Sequence, residues 1–76
     1  MKLSKAKELY AANKLLGVDV FRNPSNWDEW FVMLHNDSGK SFILADDDDV
    51  PIAAKDLGKF LLLLKSIGFG QACVHF

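Results

Sequence analysis

Apolar positions near the start of the chain recur at helical spacing. Ala6, Leu9, Ala12 and Leu16 fall on one side, and Lys2, Lys5, Lys7, Glu8 and Lys14 occupy the rest. This pattern predicts a helix over residues 4–16, with Ser4 as its cap and Gly17 in the left-handed position past its end. The period then shortens to two. Residues 18–21, 29–36 and 40–45 read as three strands. Asn23-Pro24-Ser25-Asn26 is a loop between the first two. Asp37-Ser38-Gly39 joins the second and third as a three-residue hairpin, with Gly at the position that needs a positive φ. That hairpin sets Met33 opposite Ile43 and Val32 opposite Leu44. A helical period returns over residues 51–68, where Ala53, Leu57, Phe60, Leu61, Leu64 and Ile67 share a face. Pro51 suits a first turn, one of the aspartates before it can cap, and Gly68 ends the helix. Residues 71–76 form a last short strand.

The expected fold is therefore a single α+β domain over residues 1–76. It is a small two-layer sandwich of order α-β-β-β-α-β, with a mainly antiparallel sheet and both helices on one face. Alternation along the strands puts Trp30, Val32, Leu34, Phe42 and Leu44 on the core face with Val18 and Val20. The other face carries Phe21, Phe31, Met33, His35, Ser41, Ile43 and Ala45. That is too much apolar surface for open water, and such patches mark interaction sites. Two arrangements would remove it: helices on opposite faces, or a β-register slipped by one residue. Leu62 projects from the polar side of the second helix, about 140° from Leu57. Trp27 stands beside the first loop, either as an anchor for a partner or as a lid over the core. The expected interface residues are thus Phe21, Trp27, Phe31, Met33, His35, Ile43 and Leu62. The last strand is a second candidate surface if it lies at a sheet edge.

Composition narrows the function classes. Half of the 76 residues are apolar, a quarter are charged, and the net charge is −1. A domain this small buries only about 60% of its unfolded surface, and one cysteine allows no internal disulfide. Support from a second copy or a partner is expected. The longest unbroken apolar run, Phe60–Leu64, is far shorter than the ~20 residues that span a bilayer, so no membrane partner is expected. A lone thiol without an export signal points to the cytoplasm, and Asn36-Asp37-Ser38, a glycosylation triplet, carries no meaning there.

Candidate chemistry is sparse. Asp46-Asp47-Asp48-Asp49 lacks the alternating acids, central Gly and late Glu of a calcium loop, so it reads as a solvated turn that also places negative charge at the second helix's N-terminus. His35, Cys73 and His75 are legitimate metal ligands in no recognised spacing, and Cys73 reads as a small buried hydrophobe. His35 and His75 lack an evident nucleophile or orienting acid. Gly39-Lys40-Ser41 ends like a phosphate-binding loop, but Leu34 stands where the first glycine belongs and the segment is a hairpin. No catalytic residue, cofactor, metal or small-molecule substrate is assigned.

The order α-β-β-β-α is that of double-stranded-RNA-binding domains and of small toxin endoribonucleases on the same scaffold. Residues 53–59, Ala-Ala-Lys-Asp-Leu-Gly-Lys, resemble the last helix of those folds. The resemblance implies a nucleic-acid binder. The basic cluster expected at that helix start is replaced by four aspartates and Lys55, and the toxins' Gly-Ser-His strand motif is absent. Charge therefore disfavours a nucleic-acid partner. The expectation is a non-enzymatic protein–protein interaction or regulatory module, a homodimer through a sheet face or edge strand.

Overall fold

The change of period from helix to strand comes earlier than spacing predicts. In the computed structural model, which describes residues 1–75, helix α1 covers Leu3–Ala11 and strand β1 covers Leu15–Asn23. The helix stops because Leu15 is needed in the core, paired with Asn36 at the foot of the sheet. Asn13, not Gly17, takes the left-handed conformation, at φ 59°. The Lys14 amide then donates back to Leu9 O at 2.8 Å, closing the helix end. Gly17 follows a bulge in which Leu16 is the extra residue, 71% exposed. Ser4 does not cap α1. The first-turn amides find distant acceptors instead: Leu3 N donates to Ala45 O at 2.8 Å, and Ser4 N to Asp47 Oδ1 at 3.4 Å.

Strand β2 (Asn26–Asn36) pairs antiparallel with β1, and β3 (Ser41–Ile43) pairs antiparallel with β2. The β2–β3 hairpin forms as its turn chemistry predicts. Gly39 has φ 81°, Met33 faces Ile43, and Leu44 N donates to Val32 O. The Asn36 side chain fixes the loop by accepting from the amides of Ser38 and Lys40.

The second helix is shorter than expected. Residues 51–54 are extended, and Ala54 exchanges backbone hydrogen bonds with Trp30 at 2.8 and 3.2 Å. Helix α2 covers Leu57–Ile67 and is capped by Asp56, whose carboxylate accepts from Gly58 and Lys59. The aspartate run thus does not cap α2. Asp46 Oδ1 collects the amides of Asp48 and Val50, making a self-contained turn whose Asp47 reaches α1. Tertiary demand overrode local helical preference, because β3 stops short of Trp30 and the backbone of that buried residue needed partners on the open edge of β2. Gly68 ends α2 as expected, at φ 127°.

The last strand, β4 (Cys73–His75), pairs with β1 and runs parallel to it. The sheet is therefore mixed, in the order β3-β2-β1-β4. Phe76 of the expected strand lies outside the described residues. Ala6 of α1 and Phe60, Leu64 and Ile67 of α2 pack on Val18, Val20, Trp30, Val32 and Leu34, so both helices cover one face. Phe42 is half-buried because β3 is an edge, whereas Ala45, expected on the open face, is buried where Met1 and Leu3 bond to it. Among the described residues no helix is long and apolar enough to cross a membrane.

Candidate functional site

With Val18 and Val20 facing the helices, alternation turns Asp19 and Phe21 to the opposite face of the sheet. Strand register then assembles their neighbours. Across β1 and β2, Asp19 pairs with Met33 and Phe21 with Phe31. Across β1 and β4, Asp19 pairs with Cys73 and Phe21 with His75. On the far side, Met33 pairs with Ile43 and His35 with Ser41. The expected residues Phe21, Phe31, Met33, His35 and Ile43 thus form one patch on the face away from the helices. Trp27, 63% exposed, stands at the end of the β1–β2 hairpin, where its carbonyl accepts from Arg22. Leu62, 69% exposed, lies on α2, in the other layer. Neither joins the patch.

Asp19 is the centre that sequence reasoning missed. Its Oδ2 bonds His35 Nε2, and its Oδ1 lies 3.1 Å from His75 Nε2. An ionised carboxylate only accepts, so each facing ring nitrogen carries a proton. Neutral His35 then accepts at Nδ1 from the Ser41 hydroxyl, at 2.7 Å. The Phe21 ring stacks on His75 (4.4 Å between centroids, 9° between planes) and on Phe31 (5.5 Å, 23°). His35 therefore has both a hydroxyl and an acid beside it, which its sequence neighbours do not reveal. Ser41, His35 and Asp19 follow the order of an acyl-transfer relay. On an open sheet face, however, water screens developing charge and competes for each bond. These bonds hold the Asp19 carboxylate in place on the face.

Cys73 is exposed rather than buried, because β4 is an edge strand and its odd positions face away from the core. Its sulfur joins one ligand atom each of Asp19 and His75 in a group whose members all lie within 4.8 Å of one another. Asp19, His35 and Cys73 also line a cleft of about 690 Å³ between the end of α1, the start of β1 and the segment leading into β4.

Hydrogen bonds from His35 and then His75 hold the Asp19 carboxyl below the usual aspartate value; partial burial opposes this, and the positive charge of each ring, when it is protonated, adds to it. The unfolded chain thus binds the Asp19 proton more tightly than the folded one. The resulting stability is full above the unfolded value, about 3.9, and is lost as pH falls through the lower folded value. Asp19→Asn is expected to flatten the acid limb of stability below about pH 4, seen in urea melts at stepped pH. An acid limb identical to that of the parent would show that Asp19 carries none of it.

Comparison with family models, curated proteins and solved structures finds no match to this chain.

Proposed function

We propose that this domain is a binding module that pairs with a second copy of itself through the open face of its sheet. The observation that carries this reading is the placement of both helices on one side, with Phe21, Phe31, Met33 and Ile43 clustered on the other. Ile43 is 42% exposed, and the two phenylalanines and Met33 are half-buried only against their sheet neighbours. Exposed apolar surface of this kind is stabilised by removal from water.

Charge favours a second copy over a nucleic acid. None of the open-face residues named above is Lys or Arg, so the face offers phosphates no cation but a protonated imidazole. A net charge of −1 leaves little repulsion between two copies. Size sets the expected strength. Four strands ~4.8 Å apart that average about six residues make a face on the order of 400 Å² in plan. Counted on both copies that is about 800 Å², below the size of a standard stable interface and within the weak, transient class, so pairing in the micromolar range or weaker is expected.

Sedimentation equilibrium across micromolar concentrations, with a chelator present, tests this. A concentration-dependent dimer is expected, reduced to monomer in Met33→Asp and in Ile43→Asp with far-UV circular dichroism unchanged. A monomer throughout in the parent chain, or an unaltered dimer in both variants, overturns the proposal.

A further inference from the structure

We propose that Asp19, Cys73 and His75 form a site for one borderline-soft divalent ion of the Zn²⁺ class, with His35 and Ser41 holding the carboxylate in place from behind. The site does not rest on self-association.

Strand register brings the three donors together. Asp19 and Cys73 are Cα partners in the parallel β1–β4 ladder, and His75, two residues past Cys73, emerges on the same face. One ligand atom from each lies within 4.8 Å of the others. Zinc binds thiolate sulfur at about 2.3 Å and imidazole nitrogen or carboxylate oxygen at about 2.0–2.2 Å, so at a tetrahedral angle two of its ligands stand roughly 3.3–3.6 Å apart, about 1 Å closer than the widest spacing here. Small side-chain adjustments therefore close the set onto an ion. All three side chains are partly or fully solvent-accessible, which leaves room for that movement.

The donor set selects the metal. A thiolate, an imidazole and a carboxylate suit Zn²⁺ or Co²⁺, whereas Mg²⁺ and Ca²⁺ require oxygen shells. The surroundings suit a ligand set as well. The two oxygens of Asp19 have different roles: Oδ2 is held by His35, which is in turn oriented by Ser41, while Oδ1 faces His75. Carboxylate ligands anchored in this manner are a usual outer shell of metal sites. Stacking on Phe21 fixes the plane of the His75 ring. When the ion binds, His75 carries its one proton on Nδ1 and exchanges the Nε2 bond to Asp19 for one to the metal, while the Cys73 thiol gives its proton to water and binds as thiolate. The three protein ligands leave a fourth position for water or an outside ligand.

The test is a titration of the full reduced chain with Co²⁺, followed by displacement with Zn²⁺. One Co²⁺ per chain is expected, with a thiolate-to-cobalt charge-transfer band that Zn²⁺ removes. Cys73→Ser should abolish the band. Asp19→Asn and His75→Ala should each weaken affinity at least ~10-fold, and His35→Gln about 10-fold with the band unmoved, since it leaves the inner donors intact. Ile43→Asp, which breaks the proposed pairing, should keep both band and affinity. These changes all lie on the open face, and far-UV circular dichroism verifies that each variant is folded. No band in the folded parent chain, or a band of equal affinity in both Asp19→Asn and His75→Ala, overturns the proposal.

Discussion

Phe60→Ala is expected to remove about half or more of the stability of this domain. Phe60 is 1% exposed and ranks first by volume among the fully buried side chains. It belongs to the stripe Phe60, Leu64 and Ile67 by which α2 covers the sheet. Truncating a buried Phe costs about 3–5 kcal/mol, since the lost transfer free energy is joined by the cost of a cavity that neighbours only partly fill. The whole domain, at roughly 0.05–0.15 kcal/mol per residue, has about 4–11 kcal/mol in total. The variant is therefore expected to be largely unfolded, or to melt at a much lower urea concentration than its parent. Leu62→Ala, two positions along the same helix, is the control. Its side chain is 69% exposed, and the change should stay within about 0.5 kcal/mol. Equilibrium urea unfolding measures both. A Phe60→Ala chain within about 1 kcal/mol of the parent would mean that α2 is not the lid of this core.

Gly68→Ala should be the costliest glycine change, for two independent reasons. At φ 127° the backbone lies where an L side chain is strained, typically by about 1–3 kcal/mol. A Cβ built there also meets the Tyr10 ring, 2.5 Å from Cε1 and 2.7 Å from Cδ1. That ring cannot simply swing away, because it packs against Phe69 with centroids 4.6 Å apart, and Phe69 is part of the core. The substitution thus strains the end of α2 and pries α1 from the segment that leads into β4. A loss of about 2–4 kcal/mol is expected, the φ strain plus a displaced aromatic contact. Gly70→Ala has open space around its Cβ and should change stability by less than about 0.5 kcal/mol. Thermal melts of the two variants provide the comparison, and equal melting temperatures would show that Tyr10 does not close on Gly68.

The candidate site shows where sequence reading stops. Alternation along residues 18–21 already fixes Phe21, and with it Asp19, on the face opposite Val18 and Val20. A carboxylate in mid-strand on an otherwise apolar face was the available signal. His35, Cys73 and His75 stand out by residue type alone. What no local pattern contains is that residues 73–75 lie beside residues 19–21, since that pairing joins segments more than 50 positions apart. The Asp19 carboxylate beside His35 has the same character, whereas the Ser41 hydroxyl does not: the hairpin register that sets His35 against Ser41 follows directly from the Asp37-Ser38-Gly39 turn.

Legible along the chain were the α+β class, the order of elements, the β2–β3 hairpin with its register, the two-sided sheet and the stop at Gly68. Each of these rests on interactions within a few residues of chain: side-chain periodicity, turn geometry and a φ that only glycine accepts easily. Long-range contacts set the two ends of α1, the start of α2, the extended course of residues 51–54 and the parallel placement of β4 beside β1. Those outcomes turn on backbone groups satisfied from afar, such as Trp30 by Ala54 and Leu3 by Ala45. An unpaired buried amide costs more than the small difference between helical and extended preference in one segment.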